Sequence, residues 1–372
     1  MITLEAIRHH FPALHDKCYL NSAAESIPPI AVGDALSEYW RDKQRGMDGR
    51  DAHFAKEAEA KTHAATLLGL TPEEVAFCSC TSEAYNLLAS ALQLQADDEV
   101  IVSDIDFPSG FTPWLTAPSP PSLQLWKSVN GALELESLEE LLSPRTRLVQ
   151  VSLVSFYNGW RIPWEPFIRL VRERAPQAVV SVDLTQALGR CVLDFEGADI
   201  VVSSTHKWLL GLHGSCVVGV PHRRAAALTT TAGGWYHIRN AFHEDRFHHA
   251  DQKPGAASFA VGMPSFGPIY ALNASMKFLL SVGVKSLADF SDPLVEEVYC
   301  GFVERGIAPL APLTASGIVA FKHPEADRLH AALKQDNVHV MHQAGRLRVA
   351  LHGYNTQEDV QRLFASLDAN LP

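Results

Sequence analysis

Lys207 ends the run DIVVSSTHKW (199–208), an apolar stretch that closes in small polar residues. A lysine there is either a solvated charge at a strand end or an amine held for covalent work. Partial burial would lower its pKa and leave it neutral enough to attack an aldehyde. Three other segments carry complementary chemistry. Thr81 and Ser82, in CTSEAY, open a helix. Hydroxyls and free N–H groups at a helix start suit a phosphate, and plain N-capping explains them as well. Asp183 follows VVSV directly, and Gln186 stands three residues on. A carboxylate at the end of a buried strand meets a cation, such as a protonated pyridine nitrogen, or serves as a cap. Arg348 stands within GRLRVAL. It meets a substrate carboxylate, pairs with a structural acid, or lies on an exposed strand face. The chain order is phosphate donors, acid, lysine, arginine. Pyridoxal phosphate acting on an amino acid needs all four.

Such residues need a scaffold that gathers strand ends. EVAFC (74–78), DEVIVSDID (98–106), RLVQVSLVS (147–155), AVVSVD (178–183), ADIVVSS (198–204) and GSCVVGV (214–220) predict strands, with helical TSEAYNLLASALQL and PWEPFIRLVRERA between some of them. Near-continuous apolar strands alternating with helices predict an α/β fold, its mostly parallel sheet covered on both faces. Ligands of such sheets sit beyond the carboxyl ends of the strands. After about residue 255 the pattern changes to a smaller α+β unit, the linking region being the Gly- and Pro-rich HHADQKPGAASFAVGMPSFGP (248–268). The expected division is a large domain over 18–255 and a small one over 256–372, with a helix in 1–17 packed on the latter.

The chain has 372 residues, and its net charge of −11 makes nucleic acid a poor partner. No stretch reaches the roughly 20 apolar residues of a membrane span, and the start lacks a signal-peptide pattern. Six cysteines, mostly in strand-like contexts, read as buried thiols, so the cytoplasm is expected. Cys78-Ser-Cys80 has the wrong spacing for zinc, and His243, His248, His249 and Asp251 match no common template. No metal is expected.

The motifs SVDLTQALG and ADIVVSSTHKWLLG, framed by YLNSAAESIPP (19–29) and YNTQEDVQRL (354–363), resemble the class V aminotransferase, cysteine desulfurase-like family of fold-type I pyridoxal-phosphate enzymes. The resemblance implies that Lys207 forms the Schiff base and is catalytic, that Asp183 faces the pyridine nitrogen and that Gln186 donates to the ring hydroxyl. It makes Thr81, Ser82, Ser204 and His206 phosphate ligands and Phe107 a stacking group. Arg348, with Asn21 and Asn158, would bind an amino-acid substrate, and the enzyme would be a homodimer.

Departures bear on the reaction. Phe107-Pro108 stands where the desulfurases have a His pair, Phe156 stands where an Asn is frequent, and Gly262-Met263 replaces a Gly-Thr that reaches a partner's phosphate. DNVHVMHQAGRLRV lacks the desulfurase cysteine, and its His342 is either an acid near the substrate or a solvated side chain. The expected activity is an aminotransferase, with a carbon–sulfur β-lyase or an epimerase as alternatives. A Gly-x-Gly-x-x-Gly turn and a Gly-x-Ser-x-Gly elbow are absent, which disfavours nucleotide oxidoreductases and hydrolases. A non-catalytic binding protein could have lost Lys207 or Asp183, and both are present.

Overall fold

β-Branched residues dominate the strands of the central sheet, and their side chains alternate between two buried faces. The computed structural model describes residues 4–371, so the first three residues of the expected N-terminal helix lie outside the described residues. The remainder forms α1 (Leu4–His9), followed by β1 (Cys18–Tyr19), α2 (Ile30–Gln44) and α3 (Arg50–Leu68). The sheet is built from β2 (Val75–Cys78), β3 (Glu99–Ser103), β4 (Ser122–Trp126), β5 (Thr146–Ser152), β6 (Val179–Asp183), β7 (Ile200–Ser204) and β8 (Cys216–Gly219). Between them run α4 (Thr81–Leu92), α5 (Thr112–Leu115), α6 (Leu135–Leu141) and α7 (Trp164–Arg174). The chain continues with α8 (Phe266–Val282), α9 (Val284–Glu304), β9 (Ile318–Lys322), α10 (Ala326–Gln335), β10 (Val338–His339), β11 (Met341–Gln343), β12 (Arg346–Ala350) and α11 (Gln357–Asn370).

The large sheet has the order β2-β8-β7-β6-β5-β3-β4. Its paired neighbours are parallel except where β8 meets β7 and β2, so β8 alone runs backwards. Val100 and Val102 pack on one face and Ile101 on the other, and Ile200 and Val202 likewise oppose Val201. Period-two alternation with both sides buried is what a sheet between two helical layers requires. The carboxyl ends of β5, β6 and β7 therefore present Ser152, Asp183 and Ser204 along one edge, with Ser152 in register with Asp183.

The second core lies between α9, α10, α11 and the antiparallel sheet β11-β12-β9, and it includes Cys18 and Leu20. The break in packing comes later than residue 255. α8 packs on α2 and α3, and its Ile269, Leu272, Met276 and Leu279 join the core of the large sheet. That helix is apolar nearly all round, so the large domain covers it, and Gly283 marks the change of layer. The segment after α1 bridges both units: Phe11 contacts Phe278 and Tyr354. Among the cysteines, Cys18, Cys78, Cys191 and Cys216 are buried, whereas Cys80 and Cys300 are exposed.

Candidate active site

The strand-end edge opens into one pocket lined by Thr81, Phe107, Ser109, Ser152, Phe156, Asp183, Thr185, Gln186, Ser204, His206 and Lys207. Seven of these are sequence-derived candidates. β6 ends at Asp183 with its carboxylate fixed on both sides: Oδ2 accepts from the Tyr85 hydroxyl (2.9 Å) and Oδ1 from the Thr185 N–H (2.8 Å). Each carboxylate oxygen accepts two bonds, so each keeps a free lone pair. Tyr85 is itself held by Gln150 Nε2 (3.3 Å). Thr185 Oγ1 accepts from the Ser204 N–H (3.0 Å), which ties the end of β7 to the end of β6. Ser204 Oγ is buried with no hydrogen-bond partner. A buried hydroxyl without a partner is costly, and an incoming oxyanion would complete it.

The turn after β7 aims Lys207. Thr205 Oγ1 lies within the turn between the carbonyls of Leu212 (2.7 Å) and Ser215 (2.9 Å), which share its single hydrogen. Trp208 Nε1 donates to Gln186 Oε1 (2.6 Å), and the Trp208 carbonyl lies 3.0 Å from His352 Nε2 in the small domain. Gly189 approaches so closely, at φ +91°, that a Cβ there would stand 2.5 Å from the Trp208 carbonyl oxygen. Lys207 is thus pinned by both of its flanks. Its Nζ lies 5.3 Å from the centroid of Phe107 and, among the described residues, makes no ion pair within 4 Å. Burial pushes its pKa down from 10.5 to about 8, helped by the Arg348 charge and opposed by Asp183 and Glu25. Roughly a tenth of such an amine is neutral at pH 7, against about three parts in ten thousand for an ordinary lysine.

Phe107 is 45% exposed, so its ring offers a face to a ligand, and its edge meets Phe156 (5.1 Å). Gln186 has one amide hydrogen on the Ala23 carbonyl (3.0 Å) and keeps the second. His206 stacks on His213 at 4.1 Å, and burial with the charges of Lys207 and His213 pushes its pKa down to about 4. It is neutral at physiological pH. The donor atoms of Glu25, His206 and His213 lie within 4.8 Å of one another, a candidate metal cluster that no spacing rule had suggested. The two imidazole planes are nearly parallel, 17° apart.

Other candidates fall elsewhere. Ser82 is exposed and outside the lining, one helical step of about 100° beyond Thr81. Asn158 spends its amide on the loop, donating to the Gly131 carbonyl (2.8 Å) and accepting from the Trp160 N–H (3.0 Å). Asn21 bridges to Ala350 beside β12, with Oδ1 buried and unpartnered. Arg348 is buried on β12 and meets neither an acid nor solvent: Nη1 donates to the Phe156 carbonyl (2.6 Å), and Nε has no partner. His342 lies on β11 against His330 and Asp327, away from the lining. Of the histidine-rich loop, Asp251 pairs with Arg239 (2.7 Å) and His249 with Asp245 (3.4 Å). Ser109, Ser152 and Thr185 line the pocket without having been singled out, and Phe156 lines it at the position where the family frequently has an Asn. Ser152 and Thr185 had a signal, since both stand at the end of an apolar strand.

The donor set fits pyridoxal phosphate: hydroxyls and an orphaned Ser204 Oγ for phosphate, a carboxylate with spare lone pairs for the ring nitrogen, and a lysine of lowered pKa for the aldehyde. The comparisons agree. An uncharacterized aminotransferase, YcbU of Bacillus subtilis (strain 168), is 27% identical over 98% of this chain and 97% of its own. A probable cysteine desulfurase of Pseudomonas putida is 29% identical, with the same coverage of both chains. The structure of C-DES with glycine linked to its PLP cofactor superposes with a TM-score of 0.88 at 19% identity, over 97% of this chain and 98% of that one, a likeness of fold. Residues 18–363 match the aminotransferase class-V family model, and the chain belongs to that family of pyridoxal-phosphate enzymes.

Proposed function

We propose that the protein is an aminotransferase in which Lys207 carries the cofactor and moves the proton at the substrate α-carbon. The observation that carries this reading is the meeting, in one pocket, of an unpaired lysine of lowered pKa with the doubly anchored Asp183. When bound, pyridoxal phosphate supplies an aldehyde that condenses with amines and a ring that draws electrons from the α-carbon. The residues of this chain do the rest. The hydroxyls of Thr81 and Ser204, with the N–H groups opening α4, bind the phosphate. Neutral His206 adds a hydrogen bond and no charge. Asp183 holds a proton on the ring nitrogen, Phe107 covers a ring face, and the second amide hydrogen of Gln186 serves the ring hydroxyl. Arg348 orients the substrate carboxylate through Nε and Nη2. Lys207 Nζ, once free, takes the α-proton.

Transamination is preferred because β10, β11 and β12, the strands around Arg348, contain histidines and arginines and no cysteine. A carbon–sulfur lyase is the second reading, supported by the relatives called cysteine desulfurases. The expected assembly is a dimer, consistent with exposed Trp40, Met47 and Met263. The test is the visible spectrum of the purified protein during titration with single amino acids. An aminotransferase loses its visible band and regains it with a keto acid. A lyase keeps the band and releases ammonia. Lys207→Ala is expected to abolish the band and cut turnover by at least ~10²-fold; unchanged turnover would overturn the reading.

A further inference from the structure

Arg346 and Arg348 lie two residues apart on β12 and so share one face of the strand; both are buried, at 2% and 3% exposure. Elsewhere the chain gives its least exposed guanidinium an acid. Arg190, 1% exposed, stands 2.7 Å from Asp292, and half-buried Arg172 stands 2.8 Å from Asp199. The β12 pair has none: among the described residues, no carboxylate lies within 4 Å of either arginine. Every partner is neutral. Arg348 Nη1 donates to the Phe156 carbonyl at 2.6 Å, and Arg346 Nη1 reaches the same oxygen at 3.5 Å and also the Tyr157 carbonyl. Arg346 Nη2 donates to Gln343 Oε1 (3.2 Å), and its guanidinium lies over the rings of Tyr157 (4.3 Å) and Phe156 (5.6 Å).

Sharing one acceptor puts the two Nη1 atoms no more than about 6 Å apart. Two like charges buried at that distance repel strongly and lack counterions, so anions must come from outside the chain. Both charges reach the pocket wall from behind, because Phe156, whose carbonyl accepts from both arginines, also lines the pocket that holds Lys207. One substrate carboxylate neutralises one guanidinium and leaves the other.

We infer that Arg346 is a specificity-determining residue and that, beside Arg348, it takes a second anionic group, so that the enzyme acts on amino acids with an acidic side chain and on the matching dicarboxylic keto acids. This rests on the proposed function for the assignment of Arg348 to the α-carboxylate. A purely structural Arg346, gluing β12 to the 156–157 loop, would be indifferent to substrate charge.

The test compares near-isosteric pairs on the holoenzyme: glutamate against glutamine, and aspartate against asparagine. The wild type is expected to prefer the acidic member by at least tenfold in kcat/KM, through KM. Arg346→Met is expected to bring that ratio close to one, and Arg346→Lys to keep part of it. Equal turnover of acid and amide by the wild type, or an equal loss of both in Arg346→Met, would overturn the inference. If no amino acid reacts, the proposed function fails and the arginine pair is still decided by binding. Calorimetry with glutarate and pentanoate is then expected to show tighter binding of the dicarboxylate in the wild type alone; equal binding, or a preference that survives in Arg346→Met, would overturn it.

Discussion

Arg190 and Arg348 are two buried guanidiniums that meet the same stretch of the small domain. Arg190 reaches in from the large domain, with Nε on the Leu351 carbonyl at 3.0 Å, three residues beyond Arg348. Asp292 of α9 neutralises it, whereas the Arg348 charge finds only the Phe156 carbonyl. The fold supplies one acid at this junction and omits the next, the pattern expected if the first charge joins the two units and the second, as proposed, serves a ligand. The difference is between a cation with an acid beside it and one without.

Removing each charge should have opposite consequences. Arg348→Leu is expected to raise KM for an amino acid about 100-fold, the loss of a charge-assisted bidentate contact, with melting temperature held or raised. No buried anion is orphaned by that change. A lowered melting point with unchanged KM would break the comparison. Arg190→Leu is expected to act the other way, costing about 1–3 kcal/mol of stability by denaturant titration while KM stays put. The smaller end of that range is expected, because Asp292 is half exposed and water can take over its charge.

The sequence made the large-domain half of this picture legible and left the junction obscure. Asp183, Ser204 and Lys207 stand at ends of apolar runs, and an alternating α/β pattern gathers such ends whatever the tertiary detail. Thr81 and Ser82 could not be separated by motif, since a helix start turns successive side chains by about 100° and only one can face the pocket. Asn158 was misleading for a related reason: its amide closes the loop from Trp160 to Gly131, a use no spacing reveals. α8 lacks a polar face, so the sequence does not show that it packs on α2 and α3. Arg348 was visible as a charge among apolar residues, but the absence of an acid around it is a property of the assembled domains. Arg346 carries the same ambiguity twice over, because two arginines in a strand read equally well as one exposed face.

The subtlest way to sharpen the contrast is through Lys207. The Arg348 charge is one of the causes that hold the Lys207 pKa down at about 8, and Arg190 is not among them. Competitive acetylation of the cofactor-free protein, followed at Lys207 across pH by mass spectrometry, should titrate near pH 8 in the wild type and in Arg190→Leu. In Arg348→Leu the midpoint is expected to move upward, toward the ordinary lysine value, so the neutral fraction at pH 7 falls. The sign follows from charge alone: a neighbouring cation disfavours the protonated amine, and removing it restores protonation. A simple monocarboxylate should push the wild type the same way by neutralising Arg348 from outside, and it should do nothing to Arg348→Leu. The coupling has a use in catalysis. Under the proposed function, a substrate carboxylate seated on Arg348 would raise the proton affinity of Lys207 when that amine takes the α-proton, so the group that orients the substrate would also strengthen the base. An unmoved midpoint in Arg348→Leu would mean that the two charges are screened from each other, and that burial, opposed by Asp183 and Glu25, sets the lysine.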